Sequence, residues 1–366
     1  MAFQDWIDRV QANPRFRRAA AAFPLSRPVA RARARALFDL CAGFVYTQVL
    51  TACVRLDLFE KLAAGPRQVA DLAPALGLSE AATTRLLDAA VSLRLVRRRG
   101  RRGYGLGDLG CAMLGDAGIP AMVAHHAKLY ADLRDPVAVL RGESPGNLAG
   151  AWPYAGSAAP DAVGGAAVAD YTRLMAASQS FIAEEVVAAY DFRAHRCVLD
   201  VGGGNGTFLS AVAKASPASA LMVLDLPAVA AEAEARFAAS GLAARARAIG
   251  GDAIAGPIPR GADLITFIRV LHDHNDDAVL SMLRHAHAAL PQGGGLLIAE
   301  PLSGTPGAEP IGDAYFGFYF LAMGQGRSRT RAELSALVEQ AGFAPLSERR
   351  TALPILVRVL TTKRIT

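Results

Sequence analysis

From residue 190 onward the chain alternates short apolar runs with helical stretches, and this alternation restricts the fold more than any other feature. Strand-like runs fall at Cys197–Val201, Leu221–Leu226, Ala246–Gly250, Leu264–Arg269, Gly295–Glu300, Leu346–Arg350 and Ile355–Thr361. Helical periodicity separates most of them, at Thr207–Ala215, Ala228–Ser240, Asp276–Ala289 and Thr330–Ala341. Repeated β–α alternation predicts a mostly parallel sheet with helices on both faces, an α/β fold. The last two runs are joined only by Thr-Ala-Leu-Pro. A parallel crossover needs about a dozen residues, so these two pair antiparallel.

The 366 residues leave room for more than this sheet. Residues 1–35 form an arginine- and alanine-rich extension broken by Pro14, Pro24 and Pro28, expected to be short kinked helices. Residues 36–110 read as helix, turn, helix and a basic hairpin, Leu93 to Leu106, which is the outline of a winged helix. Ser79 caps its second helix. Residues 111–190 mix helix and loop, and residues 191–366 carry the sheet.

Cys41, Cys53, Cys111 and Cys197 share no paired spacing, so buried thiols are expected rather than disulfides or a metal site. No stretch approaches about 18 uninterrupted apolar residues, and the opening Met1-Ala-Phe-Gln-Asp-Trp6 lacks a signal-peptide layout. The cytoplasm is the expected location. The net charge of +6 is carried almost wholly by arginine. Its clusters at Arg15–Arg35 and Arg97–Arg102 read as solvated faces, with nucleic acid or an anionic membrane surface as the sharper alternatives.

The run Val198-Leu-Asp-Val201 ends in Gly202-Gly-Gly-Asn-Gly206, and a helix follows. Glycine allows positive φ and close approach of a ligand to the backbone. Such sheets bind ligands beyond the carboxyl ends of their strands. A glycine loop alone says only that the ligand is nucleotide-like. Three acids sharpen it. Asp200 lies inside the first strand, where a carboxylate repels a pyrophosphate but suits an ammonium or sulfonium. Asp225 ends the next strand at the distance expected for a ribose contact, and Asp252 ends the third.

Together these residues resemble the class I S-adenosylmethionine methyltransferases. The resemblance implies that Gly202, Gly204 and Gly206 line the methionine part of S-adenosylmethionine, Asp225 the ribose and Asp252 the adenine. Leu226, Ala253 and Arg269 flank these positions and complete the expected cofactor set, with no metal.

The fourth strand runs into Leu271-His-Asp-His-Asn275, which resembles the His-Asp motif of the caffeic-acid-type and acetylserotonin-type O-methyltransferases. By that resemblance His272 removes the acceptor's hydroxyl proton and Glu300 orients it. A neutral imidazole with a pKa near ~6.5 could accept a proton at pH 7. The family's tryptophan is here His274, and its second glutamate falls near Ser328, where this chain has no carboxylate. His285 and His287 read as a solvated helix face. The same family uses an N-terminal winged-helix domain to form a homodimer.

The acceptor side is aromatic. His126, Tyr130, Trp152, Met175, Tyr315, Tyr319 and Met323 are expected to line it, together with His125 and Met122. Few of them can hydrogen-bond, which suits a long apolar acceptor. The segments Asn13-Pro-Arg-Phe16, Leu37-Phe-Asp-Leu40 and Asp313-Ala-Tyr-Phe316 are similar to the bacterial demethylspheroidene (hydroxyneurosporene) O-methyltransferases. That similarity implies methylation of the tertiary hydroxyl of an acyclic carotenoid, with peripheral contact at the membrane where carotenoids dissolve. The alternatives are another apolar acceptor, a pigment or polyketide, or a winged-helix DNA-binding regulator. Helix Ser79–Leu93 carries only Arg85 beside Glu80 and Asp88, so nucleic acid is not an expected partner.

Overall fold

The continuous apolar runs become strands buried on both faces. In the computed structural model, which describes residues 2–115, 118–151, 179 and 181–365, β3 (Cys197–Val201), β4 (Ala220–Asp225), β5 (Ala246–Gly250), β6 (Leu264–Ile268) and β7 (Gly295–Glu300) are parallel. They follow a two-stranded hairpin, β1 (Val96–Arg98) and β2 (Tyr104–Leu106), nearer the N-terminus. Two further strands, β8 (Ser347–Arg349) and β9 (Arg358–Lys363), pair antiparallel, and β9 adds antiparallel to β7. The sheet order is β5-β4-β3-β6-β7-β9-β8. Every residue of β6 and β7 is buried, as expected of strands with helices on both sides.

β4 and β8 differ by one residue at each end from the sequence reading, and two further strands differ for identifiable reasons. β6 stops at Ile268 because Arg269 takes a left-handed backbone, φ 57°. β9 starts at Arg358, not Ile355, because Leu353 accepts a turn hydrogen bond from Leu356 next to Pro354. A proline supplies no ladder donor.

One face of the sheet packs on helices Asp276–Ala289 and Arg331–Gln340 through Val279, Met282, Leu283, Leu334 and Val338. The other packs on Thr207–Ala215 and Pro227–Ala239 through Phe208, Leu209, Val212 and Phe237, with Ile182 and Val186 beside them. The chain leaves β3 outward to β4 and β5, then returns to β6 on the other side of β3. The order reverses between β3 and β6, and a crevice at their carboxyl ends is the site such a fold offers a ligand.

The chain divides into two units, Met1–Gly115 and Asp116–Thr366. In the first, helices Ala2–Ala12 and Pro14–Ala22 precede one helix of 29 residues, Arg27–Arg55. The break expected at Pro28 does not interrupt this helix. Pro28 sits in that helix's first turn, where its missing N–H costs nothing. The helix's C-terminal part packs Val49, Leu50, Cys53 and Val54 onto the core built by Leu58, Phe59, Leu72, Leu87 and Tyr104. Its middle is bare: Phe38 is 65% exposed, Leu40 80% and Phe44 67%. This helix alone, among the described residues, has the length and mean hydropathy, 1.6 over its most apolar window, of a membrane span.

The helices Val69–Leu76 and Glu80–Ser92 with the β1–β2 hairpin complete the winged helix. Three of its arginines are paired internally. Arg98 meets Asp88 and stacks over Tyr104, and Arg94 and Arg97 meet Asp108. Cys53 is buried, but Cys41 and Cys111 are exposed and Cys197 is half-buried. The expectation of four buried thiols therefore fails at two positions, both on solvent-facing sides of helices.

Candidate active site

The glycine loop is shaped by what surrounds it. Gly202, Gly204 and Gly206 all have positive φ, 67°, 57° and 77°. At Gly206 a Cβ would lie 2.7 Å from the Phe237 ring; at Gly204 it would meet nothing within 4 Å. The first glycine serves packing and the second faces open space, which is where a ligand can press against the backbone. Asp225 holds the loop: one carboxylate oxygen accepts from Gly204 N at 2.8 Å, the other from Leu226 N at 2.7 Å.

Asp200 is fully buried. Thr266 donates to its Oδ1 at 2.7 Å, while Oδ2, next to Gly203, has no protein donor. Burial, aided by the charge of Asp225, pushes its pKa up to about 8, against the lowering effect of Thr266. An unpaired buried carboxylate oxygen is costly unless a ligand completes it.

Asp252 caps the turn after β5, accepting from Ile254 N at 2.7 Å. This turn is tied to helix Asp276–Ala289, where His285 Nδ1 donates to Ala253 O and Ser281 Oγ to Ile254 O. His285 is thus a half-buried anchor of the Asp252–Ala253 segment. Its polar sequence neighbours hid that role.

His272 sits on a single 3-10 turn, Leu271–Asp273, just past β6. It is buried between two carboxylates. Nδ1 lies against Glu300 Oε2, and Nε2 is 3.1 Å from Asp273 Oδ1. Glu300, the last residue of β7, is itself fixed, because Val270 N and Leu271 N both donate to its Oε1, at 3.0 and 2.8 Å. Burial alone would lower the histidine's pKa. The two adjacent carboxylates outweigh it and hold the pKa up at about 9. The two carboxylates thus make this imidazole a stronger base than a free one, whose pKa is near ~6.5. The sequence reading of a neutral imidazole missed Asp273's direct contact. His274 is shifted the other way, downward, by burial.

Above the imidazole lie Phe316 and Phe320, with ring centroids 5.9 and 5.1 Å away. They belong to helix Phe316–Met323, which continues a π-helical turn, Pro310–Tyr315. The π-helical turn presents Tyr315, and the helix Tyr319, to helix Gly118–Asp132, where His126 Nε2 meets Tyr315 OH at 2.7 Å and His125 Nε2 meets Tyr319 OH at 2.8 Å. Burial lowers both histidines, His125 to about 4, so the pairs are neutral. Tyr319, Phe320 and Met323 are buried in one apolar cluster with Leu129, Val139 and Leu148. Tyr130 lies on the same helix as His126 but is 37% exposed, outside that cluster. Trp152 and Met175 lie outside the described residues. No group of three or more described His, Cys, Asp or Glu residues is arranged to hold a metal.

Known proteins resemble this chain over most of its length. The O-methyltransferase domain matches residues 130–344, and the O-methyltransferase dimerisation domain matches residues 38–116. The demethylspheroidene O-methyltransferase of Cereibacter sphaeroides is 41% identical over 92% of this chain and 89% of its own length. That of Rhodobacter capsulatus is 39% identical over 98% and 90%. The chain belongs to the O-methyltransferase family.

Among solved structures, CalO1, a methyltransferase of calicheamicin biosynthesis with bound SAH, superposes with a TM-score of 0.76 at 26% identity, covering 91% of this methyltransferase and 98% of CalO1. The enzyme is an S-adenosylmethionine-dependent O-methyltransferase. Its residues fit that cofactor: the open face at Gly204, the unpaired Asp200 Oδ2 and the carboxylates of Asp225 and Asp252 stand at consecutive strand ends. Arg269 is the left-handed residue between β6 and the His272 turn.

Proposed function

We propose that this methyltransferase methylates the hydroxyl of an apolar, acyclic carotenoid of the demethylspheroidene type, with His272 as the general base. S-adenosylmethionine supplies an electrophilic methyl group, held by Gly202, Gly204, Gly206, Asp200, Asp225, Leu226, Asp252, Ala253 and Arg269. The protein must then orient an acceptor oxygen and remove its proton.

The observation that carries this reading is the buried His272–Glu300 contact under the Phe316–Phe320 pair. Glu300 lies against Nδ1, so Nε2 is the nitrogen that takes the acceptor proton, and the acceptor hydroxyl must replace Asp273 Oδ1 beside it. Glu300 then stabilises the imidazolium that forms, as an acid does in a hydrolytic triad. An aliphatic tertiary alcohol is a very weak acid, so its proton leaves only as the new C–O bond forms. Alignment in a water-excluding aromatic pocket then provides much of the acceleration; effective molarities of ~10⁵ M or more are known for such alignment. The names of the two bacterial relatives and the apolar lining by Tyr315, Tyr319 and Met323 support the carotenoid acceptor, with His126 holding Tyr315. In the same reading Tyr130, Trp152 and Met175 complete the lining.

The enzyme acts as a homodimer in this reading, supported by the matched dimerisation domain and the bare apolar middle of helix Arg27–Arg55. Exposed Phe3, Trp6, Phe16 and Phe23 near Arg9, Arg15, Arg17 and Arg18 support a peripheral contact with an anionic membrane. The test is transfer of tritiated methyl from donor to demethylspheroidene, counted in the organic phase. Absence of transfer, with phenolic acceptors methylated instead, would overturn the acceptor.

A further inference from the structure

We propose that Arg329 is a positioning residue that fixes the His272 turn by gathering its backbone carbonyls. The inference rests on the reading of His272 as the base.

A 3-10 turn of three residues leaves carbonyls without helical partners, and buried carbonyls need donors. Donors and acceptors of the His272 turn are served from opposite sides. The N–H groups of Val270 and Leu271 go to Glu300. The carbonyls of Leu271 and His274 go to Arg329, from Nη1 at 2.8 Å and Nη2 at 2.6 Å. The same guanidinium gives Nε to Asp276 Oδ1 at 2.8 Å, at the start of helix Asp276–Ala289. Its side chain is 2% exposed. A planar fork of five fixed donors can span three acceptors at once; a lysine ammonium, a single point on a flexible stem, cannot.

The segment that carries Arg329 is laid directly on the turn. Gly326 has φ 80°, and a Cβ there would lie 2.5 Å from His272 O. Arg327 N donates to that same oxygen at 2.9 Å, and Gly326 N to Asn275 Oδ1 at 3.0 Å. Arg329 O in turn accepts from Ser303 N at 3.0 Å, just beyond the strand that ends in Glu300. Arg329 therefore links the backbone under the imidazole to the chain that supplies its carboxylate. Ser328 offers no carboxylate to the histidine. In this enzyme the strap acts on the main chain of the turn instead.

The test compares Arg329→Ala and Arg329→Lys with wild type, His272→Ala and the His272→Ala/Arg329→Ala double variant, using S-adenosylmethionine and demethylspheroidene. Arg329→Ala is expected to lower kcat ten- to a hundredfold, with the donor Kd within about threefold. Guanidinium chloride at millimolar concentration is expected to restore part of the loss saturably, which it does not do for a chain that is merely loosened. Arg329→Lys, which keeps the charge and secures folding, is expected to lose more than fivefold. The double variant is expected to be no slower than His272→Ala, because residues acting as one unit are not additive. Turnover within twofold of wild type in Arg329→Lys, or a double variant slower by the full product, overturns the positioning role. If His272→Ala itself keeps wild-type turnover, the base assignment fails instead.

Discussion

Glu300 and His272 are joined twice, once through the side chains and once through the backbone. One carboxylate oxygen lies against the imidazole and the other accepts the N–H groups that open the turn on which the imidazole stands. One group therefore both orients the ring and anchors the start of the turn that carries it.

The first consequence is a pH profile. A base must be unprotonated, and His272 keeps its proton up to about 9 in the free enzyme. The kcat/KM of wild type, which reports the free enzyme, should rise with pH through about 9 and level off only above it. Replacing Glu300 by Gln removes one of the charges that raise the histidine, so the profile should shift to lower pH while kcat falls at least tenfold. A flat profile between pH 6 and 9 would remove His272 from the proton transfer.

Removal of the imidazole has a larger effect. General bases contribute typically ~10²–10⁴-fold, and His272→Ala should lose turnover in that range while still binding donor. Equilibrium dialysis with labelled S-adenosylmethionine separates the two quantities.

Asp200 predicts a proton count. Its pKa of about 8 leaves it mostly protonated at pH 7 in the free enzyme, and a bound cation favours the carboxylate. Donor binding should therefore release a proton at pH 7, and affinity should rise from pH 6 to 8 and then plateau. Calorimetry at pH 7 in two buffers of different ionisation enthalpy reads this directly. Equal heats in both buffers would show that no proton moves.

The glycines of the loop should separate folding from binding. Gly206→Ala places a methyl against Phe237 at a left-handed position and should cost about 1–3 kcal/mol of stability, read by thermal unfolding. Gly204→Ala has no such collision. Its fold should tolerate the change better, while donor affinity falls more than tenfold.

The exposed middle of helix Arg27–Arg55 gives an independent test. Leu40→Asp with Phe44→Glu places charge on the face assigned to the second copy, and light scattering should report monomers. Dimers of unchanged stability would locate the interface elsewhere.

Much of the sheet was legible because its punctuation is local. β3, β5 and β7 begin and end where read, bounded by glycine, charge or a strand-terminal acid. Pro28 misled because the same residue that breaks a helix interior is welcome in a first turn. His272 and Glu300 were legible as a motif, but the strength of the base was not. That depends on Asp273's carboxylate reaching Nε2 within a turn whose shape no periodicity encodes. Arg329 and His285 were illegible for a related reason: each serves backbone carbonyls, and a carbonyl belongs to every residue and so leaves no mark in a sequence.

The antiparallel strand at the sheet's far side has a consequence for how the enzyme comes into being. β7 is flanked by β6 and β9, and Glu300 stands in register with Arg358 at the start of β9. On the ribosome, every residue that surrounds His272 emerges before β9 does. Until then β7 is an open edge, and its terminal carboxylate has a neighbour on one side only. β9 therefore closes the edge of β7 that bears Glu300, and the strand that fixes the far side of the site is drawn from the last residues of the fold.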